Sequence, residues 1–315
     1  MEEKRAVSQK IGVLDVDGNG FPNLALMKVS AYHKQRGDFV EIFNGLRKYD
    51  LVYVAKVFSD DYSADYPYAI QADKVVRGGT GYSLDIKLPD DVEHIYPDYS
   101  LYDIRDMAYG YITRGCPRQC GFCIVAEKEG SRSVQVAELG EFWRGQKKIV
   151  LLDPNILACE SAEALLAELA DTNAEVDFTQ GLDVRMLDTH RARLLQRIKS
   201  KKISFAWDNP RDSSVFNSLK TLPPDVLRKA QVYILTNFNS TLEEDLMRVY
   251  AVRDIGAKPY VMIYDKPHAP HDIKRLQRFC NNKWIFNSCE KFEDYGHFRT
   301  ALTAARKWQE GKKND

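Results

Sequence analysis

The sequence predicts an α/β protein. A small parallel sheet at the N-terminus precedes a longer series of strands and helices, which forms a partial α/β barrel or an open doubly wound sheet. Three observations carry this. Short apolar runs alternate with segments of helical spacing along most of the chain. The alternation restarts on a longer period after a stretch rich in Asp, Pro and Tyr near residue 100. The later apolar runs end in polar, turn-forming residues, which is how strands of parallel sheets commonly leave their sheet.

In the first part, Ile11-Gly12-Val13-Leu14 reads as a strand that stops at Asp15, and Asp17-Gly18-Asn19-Gly20-Phe21-Pro22 as a loop. Leu24, Met27, Ala31 and Tyr32 then recur near helical spacing until Gly37. Phe39–Phe43 and Leu51–Ala55 are strand-like, and Val75-Val76 leads into Gly78-Gly79-Thr80-Gly81. Residues 84–106 read as a linker, which gives a small N-terminal domain over 1–100.

Beyond the linker, Tyr109–Thr113, Ile149–Leu152, Val176–Thr179, Ile203–Trp207, Val232–Leu235 and Tyr260–Tyr264 read as six strands. Helical segments over 161–171, 189–199 and 241–255 lie between them, the last opened by the capping sequence Ser240-Thr241-Leu242-Glu243-Glu244. Trp284-Ile285-Phe286 is expected to add an edge strand. The barrel-like domain therefore spans 101–290, and 291–315 reads as one charged helix with a frayed end.

The 315 residues are 44% hydrophobic and 29% charged, enough to bury a core without disulfides. Lys plus Arg balances Asp plus Glu at 45 each, so no global charge draws the chain to nucleic acid or anionic lipid. No stretch approaches the ~20 apolar residues of a membrane span, and no signal-like run follows Met1-Glu2-Glu3-Lys4-Arg5. The expected location is cytoplasmic, where closely set cysteines bind metal or do chemistry more often than they form disulfides.

Three of the six cysteines, Cys116, Cys120 and Cys123, fall in Arg114-Gly115-Cys116-Pro117-Arg118-Gln119-Cys120-Gly121-Phe122-Cys123. One loop can bring three thiolates to one metal centre. Iron–sulfur clusters normally take four thiolates, so three point to a cluster with one iron left open. The rival is structural zinc, which asks for four ligands, usually in two pairs; no fourth cysteine and no histidine stands nearby in sequence. The loop directly follows the first strand of the second series, at the end where parallel α/β folds bind ligands. The other strands end in Asp153 and Asn155, in Gln180, Asp183 and Arg185, in Asp208 and Asn209, in Asn237, and in Asp265, Lys266 and His268. The same residues serve ordinary turns, and Asp153-Pro154-Asn155 and Asp208-Asn209-Pro210 fit that reading too. His268 and His271 are acid–base candidates or simply exposed loop histidines.

The spacing Cys116-x3-Cys120-x2-Cys123, with Phe122 before the last cysteine and a strand ahead of the loop, resembles the radical S-adenosylmethionine (radical SAM) superfamily over roughly residues 105–290. The resemblance implies a partial (β/α)6 radical SAM barrel. It implies a [4Fe–4S] cluster on Cys116, Cys120 and Cys123, with S-adenosylmethionine on the open iron and Phe122 near its adenine. It also implies reductive cleavage to a 5′-deoxyadenosyl radical that abstracts hydrogen from an unidentified substrate, with an external one-electron reductant such as flavodoxin or ferredoxin. Asp153 stands where the superfamily often binds the amino group of the cofactor, and Arg185 suits its carboxylate. Asn155, Gln180, Asp208 and Asn237 complete the expected cofactor-binding rim.

The N-terminal part, through Phe21-Pro22-Asn23-Leu24-Ala25-Leu26 and Gly78-Gly79-Thr80-Gly81, resembles the cobalamin-binding-like domain of one branch of these enzymes. The histidine-bearing loop of the better-known binders is replaced by Asp15-Val16-Asp17-Gly18-Asn19-Gly20. A cobalamin-dependent methyltransferase and a non-catalytic iron–sulfur or zinc module are the alternatives. Cys159, Cys280 and Cys289 read as isolated buried thiols, with an auxiliary cluster as the alternative.

Overall fold

Ile11 and Val13 are wholly buried at the centre of the first sheet. Their strand, β1 (Lys10–Asp15), lies between β2 (Phe39–Ile42) and β3 (Tyr49–Ala55), and β4 (Ala72–Gly78) completes the order β2-β1-β3-β4. All pairings are parallel. A parallel sheet needs cover on both faces. Leu26 and Val29 from helix α1 (Leu24–Gln35), with Val40 and Val92, pack with Ile11 and Val13. Tyr49, Val52 and Val54 form a separate buried cluster. Each such side chain contributes about 1.5–3 kcal/mol of burial. Asn23 caps α1 by accepting from the Leu26 amide, and Gly37, at φ +86°, provides the left-handed residue that follows the helix.

The computed structural model describes residues 8–18 and 20–296. They form two compact units divided between Gln180 and Gly181.

The expected linker over 84–106 is a packed segment. It holds helix α2 (Asp90–Glu93) and a 3-10 turn at Tyr99–Tyr102. Val92 joins the core of the first sheet, with Leu88 and Leu101 against it. The Tyr99 hydroxyl accepts from the Tyr109 amide at 3.0 Å and donates to the Phe142 carbonyl at 2.7 Å. Asp, Pro and Tyr mark turns in sequence, but these turns also carry buried side chains.

The rest of the first unit holds β5 (Met107–Gly110), β8 (Lys148–Leu151) and β9 (Glu175–Phe178), parallel in the order β5-β8-β9. The strand expected over Tyr109–Thr113 ends earlier, at Gly110. Thr113–Arg114 is a separate short strand, β6, paired antiparallel with β7 (Val134–Gln135). Between these lies helix α3 (Val125–Glu129), and α4 (Ala162–Asp171) buries Ala162, Leu165, Leu166 and Leu169.

The second unit contains β10 (Ile203–Ala206), β11 (Ala230–Thr236) and β12 (Lys258–Ile263), again parallel and in sequence order. Helices α5 (Thr189–Arg197), α6 (Ser213–Lys220), α7 (Pro224–Lys229), α8 (Leu242–Asp254) and α9 (His271–Asn281) accompany them. Thr241 and Glu244 form the expected capping box of α8. The fold is thus mixed α/β with parallel sheets.

The edge strand expected at Trp284-Ile285-Phe286 is instead part of helix α10 (Lys283–Ser288). Asn282 caps it by accepting from the Trp284 and Ile285 amides. A three-residue apolar run does not by itself separate helix from strand. The charged helix expected over 291–315 lies outside the described residues beyond Gly296. No helix among the described residues is long and apolar enough to cross a membrane.

Candidate functional site

The cysteine loop is built on a backbone that is fastened on both sides. Asp153, two residues beyond β8, is 6% exposed. It accepts from the Ile112 amide at 3.2 Å, the Thr113 amide at 2.5 Å and the Thr113 hydroxyl at 2.7 Å. Burial pushes its carboxyl up to about 6, against the pull of these hydrogen bonds. The chain then turns at Gly115, with φ +84°; a Cβ there would stand 2.0 Å from the Arg132 carbonyl oxygen, so only glycine fits. The Cys116 amide donates to the Gly130 carbonyl at 3.1 Å, which closes the loop at its base.

Arg114 lies over the Tyr111 ring, 4.0 Å from its centre, and donates to Glu129 at 3.1 Å and to Glu93 at 3.0 Å. The second oxygen of Glu129 accepts from the Gly115 amide at 3.3 Å. Glu93 also takes the Lys28 ammonium of α1 at 3.0 Å. A continuous chain of ion pairs therefore runs from the helix of the first sheet to Arg114, two residues before Cys116. Sequence reading missed Arg114, Glu129, Glu93 and Lys28. The only local signal was Arg114 beside Gly115-Cys116.

Within the loop, the Cys120 amide donates to the Arg118 carbonyl at 2.9 Å and the Cys123 amide to the Cys120 carbonyl at 3.0 Å. Cys116 and Cys120 are half-buried, Cys123 is exposed, and none of the six cysteines is in a disulfide. Phe122 is half-buried beside them. The Cys116 sulfur accepts from the Arg118 amide at 3.4 Å and from Asn155 Nδ2 at 3.6 Å. Asn155 is 3% exposed, and its Oδ1 is buried with no hydrogen-bond partner among the described residues. Among those residues no group of three His, Cys, Asp or Glu side chains is gathered closely enough to hold a metal ion. The donor set of the loop is nevertheless all thiol, with N–H donors on one sulfur, which suits a soft metal or an iron–sulfur cluster.

Gln180 is exposed, two residues beyond β9 at the end of the first unit. The remaining expected rim residues belong to the second unit. Arg185 is held by Asp183 at 2.7 Å and by Asp212 at 2.5 Å, so its fork is engaged by two carboxylates. Asp208, two residues beyond β10, is half-buried; burial pushes its carboxyl up to about 6, while nearby Arg248 and Arg185 pull it down. Arg248 is wholly buried and donates to the carbonyls of Trp207 at 2.7 Å, Asp208 at 3.0 Å and Leu235 at 2.8 Å, and to Asp245. Asn237 adopts φ +62° and donates to the Tyr264 carbonyl at 2.8 Å, a turn role. His268 and His271 have side chains 76% and 82% exposed.

Cys159, Cys280 and Cys289 are buried, as expected of isolated thiols. Burial pushes Cys280 up to about 12, so it stays a protonated thiol at neutral pH and is a poor nucleophile.

No family model matches the chain, and no curated protein matches it.

Proposed function

We propose that the chain is a radical S-adenosylmethionine enzyme of partial (β/α)6 barrel fold. Cys116, Cys120 and Cys123 would hold a [4Fe–4S] cluster. The observation that carries the reading is the three-cysteine loop on a fastened backbone, opening two residues after β6 and six residues beyond the parallel strand β5. When bound, the cluster supplies one electron, received from a flavodoxin- or ferredoxin-like donor, for cleavage of S-adenosylmethionine to methionine and a 5′-deoxyadenosyl radical that abstracts hydrogen from substrate.

The chain's own residues have distinct tasks. Gly115 lets the loop turn without a clash, and Asp153 and the Arg114–Glu129 pair fix its approach. Asp153 has its oxygens occupied by Ile112 and Thr113. The orphaned Asn155 Oδ1 is the better acceptor for a cofactor ammonium. Phe122 offers an apolar surface beside the cysteines for an adenine. Arg185 accepts a cofactor carboxylate only by releasing Asp183 or Asp212. Gln180, Asp208 and Asn237 supply further polar groups at strand ends.

Anaerobic reconstitution with iron and sulfide tests this. The expected result is about four irons per chain and dithionite-dependent 5′-deoxyadenosine, with both lost in Cys120→Ala. Stoichiometric zinc and no cleavage would mean a structural metal module. A cobalamin-dependent methyltransferase is the second reading, favoured by the parallel order β2-β1-β3-β4, whose strand order reverses between β1 and β3. A bound cobalamin absorbance spectrum on titration distinguishes it.

A further inference from the structure

We infer that Asn155 is a positioning and tuning residue for Cys116. Its side-chain amide donates to the Cys116 sulfur and raises the reduction potential of the centre that the cysteine loop holds. The inference rests on the iron–sulfur reading above.

Asn155 precedes a 3-10 turn at Ile156–Ala158, the place where an Asn side chain ordinarily caps its own turn. Here it makes no capping hydrogen bond. Its Nδ2 stands 3.6 Å from Cys116 Sγ, across 39 residues of sequence, while Oδ1 stays buried and unpartnered. The backbone is held in this attitude from outside the turn. The Ser133 hydroxyl, on a residue 8% exposed, donates to the Asn155 carbonyl at 2.9 Å. A side chain that forgoes its local partner and leaves an acceptor orphaned is committed to the contact it does make.

The chemistry fixes which end of the amide faces the sulfur. A thiolate only accepts, so the NH2 group must point at Cys116 and the carbonyl oxygen away. With the Arg118 amide at 3.4 Å, Cys116 then carries two N–H donors. One-electron reduction of an iron–sulfur cluster puts more negative charge on its sulfurs. N–H donors stabilise the reduced state more than the oxidised one, so they raise the potential. Burial of the amide, at 3% exposure, keeps water from supplying the same donor.

The test is potentiometric titration of the reconstituted protein with dithionite, read by electron paramagnetic resonance, beside iron and sulfide analysis. Asn155→Leu removes the donor at similar volume, and Asn155→Asp keeps the shape and replaces the donor with an acceptor. Both are expected to keep their iron and to fall in potential, with at least a tenfold change in the reduction equilibrium, about 59 mV for one electron. Asn155→Asp should fall further, because it adds a negative charge. Ser133→Ala retains the Asn155 amide and is expected to stay closer to the wild-type potential than either. An iron-loaded Asn155→Leu or Asn155→Asp protein at the wild-type potential would overturn the inference and leave the enzyme reading intact. Failure of the wild-type chain to assemble any iron–sulfur centre would overturn the enzyme reading itself, and the inference with it.

Discussion

Two aspartates occupy equivalent places in two sheets and are used in opposite ways. Asp153 stands two residues beyond β8, in Asp153-Pro154-Asn155, and Asp208 two residues beyond β10, in Asp208-Asn209-Pro210. Burial pushes both carboxyls up to about 6. Asp153 accepts three hydrogen bonds from Ile112 and Thr113, all on the segment between β5 and the cysteine loop. No hydrogen bond reaches the Asp208 carboxyl among the described residues, and its surroundings are charges: Arg248 and Arg185 against Asp183. Turn chemistry accounts for an Asp after a strand in either sheet. Only the donors around it decide whether it is a fastening for backbone or a group left open to a proton or a ligand.

The most disruptive way to break this comparison is through Arg248. It holds the carbonyls at the ends of β10 and β11 together and pairs with Asp245, both side chains wholly buried. Arg248→Met leaves Asp245 as a buried carboxylate without its partner, a loss of about 3–5 kcal/mol. Urea unfolding should show it as a large fall in midpoint. Withdrawal of that cation should also raise the Asp208 carboxyl further, read by NMR titration. A midpoint equal to wild type would show that the ends of β10 and β11 are held by something else.

Asp153 offers a sharper test, in its pH dependence. Its proton is held more tightly in the folded chain, at about 6, than at the ordinary value of 3.8. Between those values the folded state keeps a proton that the unfolded state has lost. Its contribution is therefore complete below about 4, falls as pH rises to about 6, and is level above. The gap corresponds to about 3 kcal/mol. Asp153→Asn cannot titrate, so its unfolding free energy should fall about 3 kcal/mol less than wild type between pH 4 and pH 7. It should also carry a pH-independent loss, because the new NH2 group faces the Ile112 amide. Identical pH profiles for the two proteins would remove Asp153 from the titrating set.

These two residues also mark how far the sequence could be read. The strands were legible because parallel strands bury both faces, and apolar runs such as Ile149-Val150-Leu151 end at turn residues. The cysteine loop was legible from spacing alone. What Asp153 touches was not, because Thr113 lies 40 residues away, and no local pattern records a contact across strands. The chain Lys28–Glu93–Arg114–Glu129 is hidden for the same reason. Arg248 did leave a trace: Asp245, Arg248, Val249 and Val252 are the buried stripe of α8, so two charges stand at core spacing on that helix. Trp284-Ile285-Phe286 misled because its helix is set by the Asn282 cap and not by the apolar run.

The smallest expected effect is the one that most directly separates the two aspartates. Asp208→Asn removes no hydrogen bond made by the carboxyl, since none reaches it among the described residues. It also removes a charge that burial disfavours above pH 6. Stability at pH 7 should therefore stay within about 1 kcal/mol of wild type, or rise slightly, while the part of the fall between pH 4 and pH 6 that belongs to Asp208 disappears. The same substitution at Asp153 sets a donor against the Ile112 amide and must cost more. Urea unfolding of both variants at pH 7 makes the comparison directly. Equal losses would mean that a donor reaches the Asp208 carboxyl in solution, and the two strand ends would then be two copies of one fastening.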